Sequence, residues 1–443
     1  MCHYRPLCET NSRLGGALKY FAFGHIARLT AISLILTLFY PSPTQAAGAG
    51  VGSTEYIPCR YSLIAAKGAN AVIAYSTQKV TLDPDTLSEY YSDVIVVKNV
   101  SSKGSITSTR TIALLPTESL SDAENCIAVV ATSSYFYIAA GVINQVQDDP
   151  DCVEDYEVEP PVTCAVTITE YLQFWRSTNG TTWSRTGRLE GIPASDVRVA
   201  ATASLVLVVT ATPGTDPECV PGAVDGDGYL VEDCEIDRAS IQVRESSSTS
   251  MSFRAPIELA DDAELPDGYM QATISGGSVG ILTWRNVNGE QFAATRKGSQ
   301  SWTVKTKISN TTYGYAGTSA SVGKTAVVAY VDEFSSRLSW RFSSNSGQTW
   351  ASQKRTASLV TGEIYVRNAW AAGAKFYVAL DRVPWEGNYY SSVYQVTSSS
   401  AARKFTVSAN ESISGAIALG TRTILVTRYK VGGTYYLRLY SFV

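Results

Sequence analysis

The chain has 443 residues, a formal net charge of −4, two histidines and eight cysteines. That length exceeds one small core and suits one large all-β domain. The acidic balance argues against a phosphate-backbone ligand, and so against nucleic acid as a partner.

The N-terminal stretch reads as a segment to be removed. Arg5, Arg13, Lys19 and Arg28 precede the apolar run LTAISLILTLFY (29–40), and PSPTQAAGAG follows with small residues suited to cleavage near Ala46 or Ala47. This predicts a secretory signal over residues 1–47, a mature domain over 48–443 and a secreted, extracellular protein. The alternative is an uncleaved anchor, but twelve helical residues span about 18 Å against about 30 Å of hydrocarbon. No second apolar run of spanning length follows, so no membrane span is expected after cleavage.

The segment carries four basic residues and Glu9, so its loss takes the charge from −4 to −7. His3 and His25 leave with it, which excludes Ser-His-Asp and Cys-His mechanisms and a histidine metal site. No cofactor is implied. Six cysteines remain, an even number that suggests disulfides in an exported chain. Cys152–Cys164 and Cys219–Cys234 each bracket one insertion, and Cys59–Cys126 would join adjacent repeat units. Asn99, Asn179, Asn310 and Asn410 begin glycosylation sequons, relevant where the host glycosylates.

In chain order the mature part is a series of short β-prone runs. The first-strand candidates are 62–68, 127–133, 197–203, 269–275, 315–323, 365–373 and 414–420. RFSSNSGQTW (341–350), FWRSTNGTTW (174–183), RESSSTSMSF (244–253) and TRKGSQSW before Trp302 are related hairpins. Their terminal aromatics, Trp183, Phe253, Trp302 and Trp350, are 70, 49 and 48 residues apart. Discounting the insertion at 211–237 brings the long step to 48, a period read as propeller blades. The prediction is an all-β, seven-bladed β-propeller of four-stranded antiparallel blades. Its last unit has three strands, and an N-terminal strand STEYIP (53–58) is expected to complete the ring and hide both sheet edges.

Ser343, Asn345, Gly347, Thr349 and Trp350, and less fully Thr178, Gly180, Thr182 and Trp183, resemble the Asp-box (BNR) repeat of sialidase-like and sortilin-like propellers. Both copies lack the Asp. The resemblance implies that these hairpins join the third and fourth strands of a blade. It also implies that the opposite face, with the second-to-third hairpins, is the ligand face.

That face carries acidic insertions at about 144–164 and 211–237. The first holds Asp148, Asp149, Asp151, Glu154, Asp155 and Glu157, either as solvated decoration or as a contact surface for a protein or glycan. Asp225, Asp227 and Asp233 offer hard oxygen ligands, but their spacing misses the EF-hand pattern and a turn-rich loop explains them. Trp385 and Tyr389 stand where they either stack on a sugar or cap a blade edge.

Two functions follow: a secreted binding module, or a sialidase-like glycoside hydrolase. The latter would use carboxylates and so survives the loss of histidine. The resemblance brings an Arg triad, an Asp acid/base and a Tyr–Glu pair. Arg60, Arg198 and Arg367 lie at or near inner strands, and Tyr365 is close to Glu363. IPCRY (57–61) and FRAP (253–256) depart from the early F/Y-R-I-P motif of those enzymes.

Overall fold

The computed structural model describes residues 48–54, 63–82, 89–120, 127–148, 152, 164–192, 198–215, 235–264, 272–310, 317–332, 336–359, 362–384 and 386–443. The expected signal, Cys59–Cys126 and Cys219–Cys234 lie outside these residues, as do Asp149, Asp151, Glu154, Asp155, Glu157, Asp225, Asp227, Asp233 and Trp385.

Among the described residues there is no helix, and the strands form seven antiparallel blades. The first strand, β1 (Ala49–Thr54), belongs to the last blade. Blade 1 is β2 (Ile64–Lys67), β3 (Asn70–Leu82), β4 (Glu89–Val100) and β5 (Ile106–Ala113). Blade 2 opens on a divided inner strand, β6 (Glu118–Leu120) and β7 (Ile127–Ala131), followed by β8 (Phe136–Gln147), β9 (Val166–Ser177) and β10 (Ser184–Glu190). Blade 3 is β11 (Arg198–Ala201), β12 (Leu205–Thr215), β13 (Glu235–Ser247) and β14 (Ile257–Glu264). Blade 4 is β15 (Ala272–Ser275), β16 (Gly280–Arg285), β17 (Gln291–Arg296) and β18 (Thr306–Ser309). Blade 5 is β19 (Thr318–Val322), β20 (Thr325–Val331), β21 (Leu338–Ser343) and β22 (Lys354–Arg355). Blade 6 is β23 (Gly362–Ala372), β24 (Lys375–Pro384), β25 (Tyr390–Val396) and β26 (Ala401–Thr406). Blade 7 is β27 (Ser412–Leu419), β28 (Arg422–Val431) and β29 (Thr434–Phe442), with β1 paired to β29.

The second strands are apolar without alternation because each blade is covered by a neighbour on both faces. Ala71–Tyr75 and Val206–Val209 are buried at every position. Trp284 and Trp340 fill the gaps between blades and are almost wholly enclosed. Truncating such a ring to Ala costs about 3–5 kcal/mol.

The ring is closed by an N-terminal strand, as expected, but the described strand, Ala49–Thr54, begins four residues before the expected 53–58. Its small residues explain the shift. A Cβ at Gly52 would lie 2.1 Å from the Tyr75 hydroxyl, so only a glycine-rich segment fits beside that ring.

The repeated hairpins have one job. Ser343 Oγ accepts from the Asn345 and Gly347 amides at 3.3 and 2.8 Å, while Asn345 Oδ1 accepts from the Thr349 amide at 2.9 Å. Ser177 and Asn179 repeat the pattern, with Ser177 Oγ 2.8 Å from the Gly180 amide and Asn179 Oδ1 2.9 Å from that of Thr181. Side chains thus stand in for the missing backbone partners of the turn. Each folded hairpin then seats on the third strand of the preceding blade. Asn99 Nδ2 donates to Gly180 O at 2.9 Å, Arg176 to Thr249 O at 3.0 Å, Thr295 to Ser346 O at 3.0 Å and Trp340 to Thr397 O at 2.8 Å. Trp302 donates to Glu245 at 2.9 Å, and Gly104 rests against Ser441. One sequon is used up in this way. Asn99 is buried and its Nδ2 donates to the hairpin, whereas Asn179, Asn310 and Asn410 are exposed.

Gly347 and Gly373 separate backbone strain from docking. Both have positive φ, at 84° and 59°. A Cβ at Gly347 would meet Thr295 Cγ2 at 2.2 Å, while one at Gly373 would meet nothing within 4 Å. Gly373→Ala should cost about 1–2 kcal/mol from φ alone. Gly347→Ala should cost about 1–3 kcal/mol more from overpacking. Urea midpoints at unchanged m-value check the difference; equal losses would mean that the docking contact contributes nothing.

Candidate functional site

In blades 1–6 the first-to-second and third-to-fourth hairpins share one face, which also carries the first-to-second hairpin of blade 7. The second-to-third hairpins and the connections between blades share the other, onto which the inner strands open their N-terminal ends. The seven inner strands enclose an axial channel of about 470 Å³, lined mainly by small residues such as Ala65, Ala128, Ala200, Ala320 and Ala416. Among the described lining residues the arginines are Arg198 and Arg367, two of the three expected near inner strands; Arg60 lies outside the described residues.

Both are engaged. Arg198, the first residue of β11, donates to the Ala272 carbonyl of blade 4. Arg367 Nε lies 2.7 Å from Asp381 Oδ2, and its guanidinium stands 5.4 Å from the Tyr365 ring centroid. Tyr365 in turn donates to the Glu363 carboxylate. Asp381 also accepts from Ser391 and, at 2.8 Å, from Ser412, tying blade 6 to blade 7. Alternation alone does not show Asp381; it sits opposite Tyr365 in the β23–β24 register.

Tyr389 has a structural part here. Its hydroxyl donates to Asn410 O at 2.8 Å, linking the second-to-third hairpin of blade 6 to the connection into blade 7. Burial and then the nearby Asp381 carboxylate raise its phenol above the ordinary range. Among the described residues no group of three or more His, Cys, Asp or Glu could hold a metal ion. No helix among them is long and apolar enough to cross a membrane.

The loop-bearing face is dominated by two-stranded ribbons from blades 1–3. The expected insertions at 144–164 and 211–237 are narrower than predicted, because strand pairing runs into their ends. β8 and β9 pair out to Gln147↔Val166, and β12 and β13 out to Thr215↔Glu235. β3 and β4 likewise pair out to Leu82↔Glu89. At the blade 1 and blade 2 tips both ribbon faces meet solvent. Leu82 is 57 % exposed, Tyr91 58 %, Val166 47 % and Ile168 58 %, although all belong to regular strands. Sequence reasoning placed 144–147, 211–215 and 235–237 inside insertions and did not single out Val166 or Ile168; the β-branched run VTIT (166–169) was the available signal.

The blade 2 ribbon is held at both ends. At its tip Cys152–Cys164 forms, with a Cα–Cα distance of 5.8 Å, and the Asp148 amide donates to Ala165 O at 2.9 Å. At its root the Glu118 side chain, 2 % exposed, accepts from Arg185, Tyr171 and the Leu115 amide, with Arg185 Nη1 at 3.1 Å and the amide at 3.0 Å. Burial by itself would raise the Glu118 carboxyl, but these donors outweigh it and the group titrates below the ordinary range.

No family model and no curated protein matches the chain. Solved structures match at low identity and low TM-score. A Trypanosoma rangeli sialidase in complex with sialic acid is 12% identical, with a TM-score of 0.36, over 82% of this chain and 58% of that one. The β-propeller domain of the Trilobed protease from Pyrococcus furiosus is 11% identical, with a TM-score of 0.44, over 87% and 95%. A Dyadobacter fermentans protein of unknown function is 11% identical, with a TM-score of 0.41, over 90% and 98%. The chain thus spans less than two thirds of the sialidase's length.

The Glu118 network predicts a pH dependence. A carboxyl lowered by folding contributes stability that is present above its unfolded value, near 4.3, and is lost as pH falls through the folded value. Over that acid window the parent should lose stability more steeply than Glu118→Gln. Chemical denaturation between about pH 6 and 2.5 reads this directly; parallel curves would remove Glu118 from the account.

Proposed function

We propose that the protein is a secreted or cell-surface binding module that engages a protein or glycan through the ribbons of blades 1–3. The observation that carries this reading is the row of exposed apolar and aromatic residues on ordered ribbons of consecutive blades. A ribbon wetted on both faces adds little to folding stability, and an isolated two-stranded hairpin is marginal in water. Holding one in place with a disulfide at the tip and a buried carboxylate network at the root is explained by what the ribbon presents. The disulfide also fits an oxidising compartment. We read the hairpins at 177–183 and 343–350 as degenerate Asp-boxes whose role is to lock blades together on the opposite face.

The sialidase-like alternative is favoured by one contact, the hydrogen bond from Tyr365 to Glu363 beside Arg367. Against it, the Arg367 guanidinium is paired with Asp381 and Arg198 bonds to a backbone carbonyl, which leaves neither as an open carboxylate clamp. A fluorogenic sialoside should therefore stay intact. Turnover abolished by Tyr365→Phe or Arg367→Ala would move the protein into that class.

Two trimmed proteins test the binding reading. Replacing 148–165 by an Asn-Gly turn between paired Gln147 and Val166, or 216–234 likewise between Thr215 and Glu235, removes whole cysteine pairs and should leave the ring folded. At least one should lose about tenfold or more in affinity for a partner purified from the native source. The parent's association should slow as salt rises, since carboxylates on the face steer a basic patch. If both fold and bind undiminished, the ribbons are decoration.

A further inference from the structure

Arg185, Arg296 and Arg367 each face a carboxylate. Arg382 does not, although it is 4 % exposed. It stands in β24 opposite Ile364, which packs in the cluster shared by blades 5 and 6. Its Nη2 donates to Ser392 Oγ at 3.0 Å, and its Nη1 reaches the Leu359 carbonyl of blade 5 at 3.5 Å. Nε is buried with no hydrogen-bond partner. The Tyr390 ring centroid lies 3.9 Å from the guanidinium, a contact that supplies no opposite charge. Among the described residues no carboxylate pairs with Arg382.

The surroundings add positive charge. Arg403 of β26 is exposed and sits opposite Tyr394, a residue of the same seam. Burial pulls the Arg382 guanidinium below its ordinary range; Tyr394 and Tyr390 oppose that shift, and Arg403 adds to it. From blade 5, exposed Lys354 of β22 lies opposite Trp340, whose indole packs against blade 6. Asp381, the neighbour of Arg382 in the chain, is turned to the other side, where Arg367, Ser391 and Ser412 surround it.

Taking a cation out of water is offset only when an opposite charge and hydrogen bonds replace its hydration. The fold supplies the hydrogen bonds in part and the charge not at all. We propose that the seam between blades 5 and 6 is an anion site, where Arg382 and Arg403 hold a sulfate, phosphate or carboxylate group. A planar guanidinium takes any of these through two parallel N–H donors. Both arginines also act on the buried Tyr394 phenol, whose hydroxyl is a further donor. The site lies away from the ribbons of blades 1–3 and stands or falls without them.

Equilibrium dialysis of the intact protein tests it, with inorganic sulfate, inorganic phosphate and acetate as probes at constant ionic strength in sodium chloride. At least one should bind with a Kd below about 10 mM. Arg382→Met should weaken that binding about tenfold or more, and Arg403→Gln about threefold or more. Lys103→Gln, on an exposed hairpin of blade 1, should leave it unchanged. Tighter sulfate or phosphate would assign the site to sulfated or phosphorylated groups, and tighter acetate to carboxylates. No binding of all three at that level would overturn the proposal. So would an Arg382→Met protein that binds as the parent does, or an equal loss in Lys103→Gln. Should Arg382→Met fail to fold, the exposed Arg403→Gln decides, and parental affinity in that variant overturns the site.

Discussion

The seating of each third-to-fourth hairpin on the blade before it is the contact on which the ring depends. A propeller blade buries apolar surface on both faces, and apolar surface is indifferent to angle. The hairpins supply direction. Asn99 to Gly180, Thr295 to Ser346 and Trp340 to Thr397 are the same contact at different seams, made by different side chains. That substitution freedom explains why the sequence motif is recognisable at 341–350 and eroded near Phe253 while the architecture is regular throughout.

The buried carboxylates Glu245 and Asp381 at these seams are surrounded by donors. Glu245 takes Arg296 at 2.6 and 2.9 Å and Trp302 at 2.9 Å, and Asp381 takes Arg367 and two serines. Burial would raise the Glu245 carboxyl, yet the Arg296 bonds hold it below the ordinary range. Such pairs contribute little net stability, but breaking one strands a buried charge at about 3–5 kcal/mol. They therefore fix which blade follows which more than they strengthen the ring. With one face locked in this way, the other is free to grow ribbons without disturbing the core.

The sequence was most legible where structure repeats. The seven first-strand candidates all fall on the inner strands, because the small, apolar inner runs and the serine-rich hairpins recur in step, about every 48 residues where no insertion intervenes. It was least legible where one residue serves two blades. Arg367 was visible as an axial residue, but its partner Asp381 follows from register, not from spacing. The closing strand was placed a few residues late because β propensity favours STEYIP, whereas clearance beside Tyr75 favours AGVGST. The strand ends at 144–147, 211–215 and 235–237 were read as insertion because the acidic residues next to them mask the strand pattern. Cys152–Cys164 was correctly paired from its bracketing of one insertion.

If the locked face carries the fold and the ribbons exist to be presented, local stability should differ sharply between them. Native-state hydrogen exchange with increasing urea measures this. Amides at 174–183 and 341–350 should exchange only through global unfolding, while those at 166–169 near the ribbon tip should exchange with no dependence on urea. Global-level protection at 166–169 in the unbound protein would contradict the account, because the ribbon would then be part of the cooperative core.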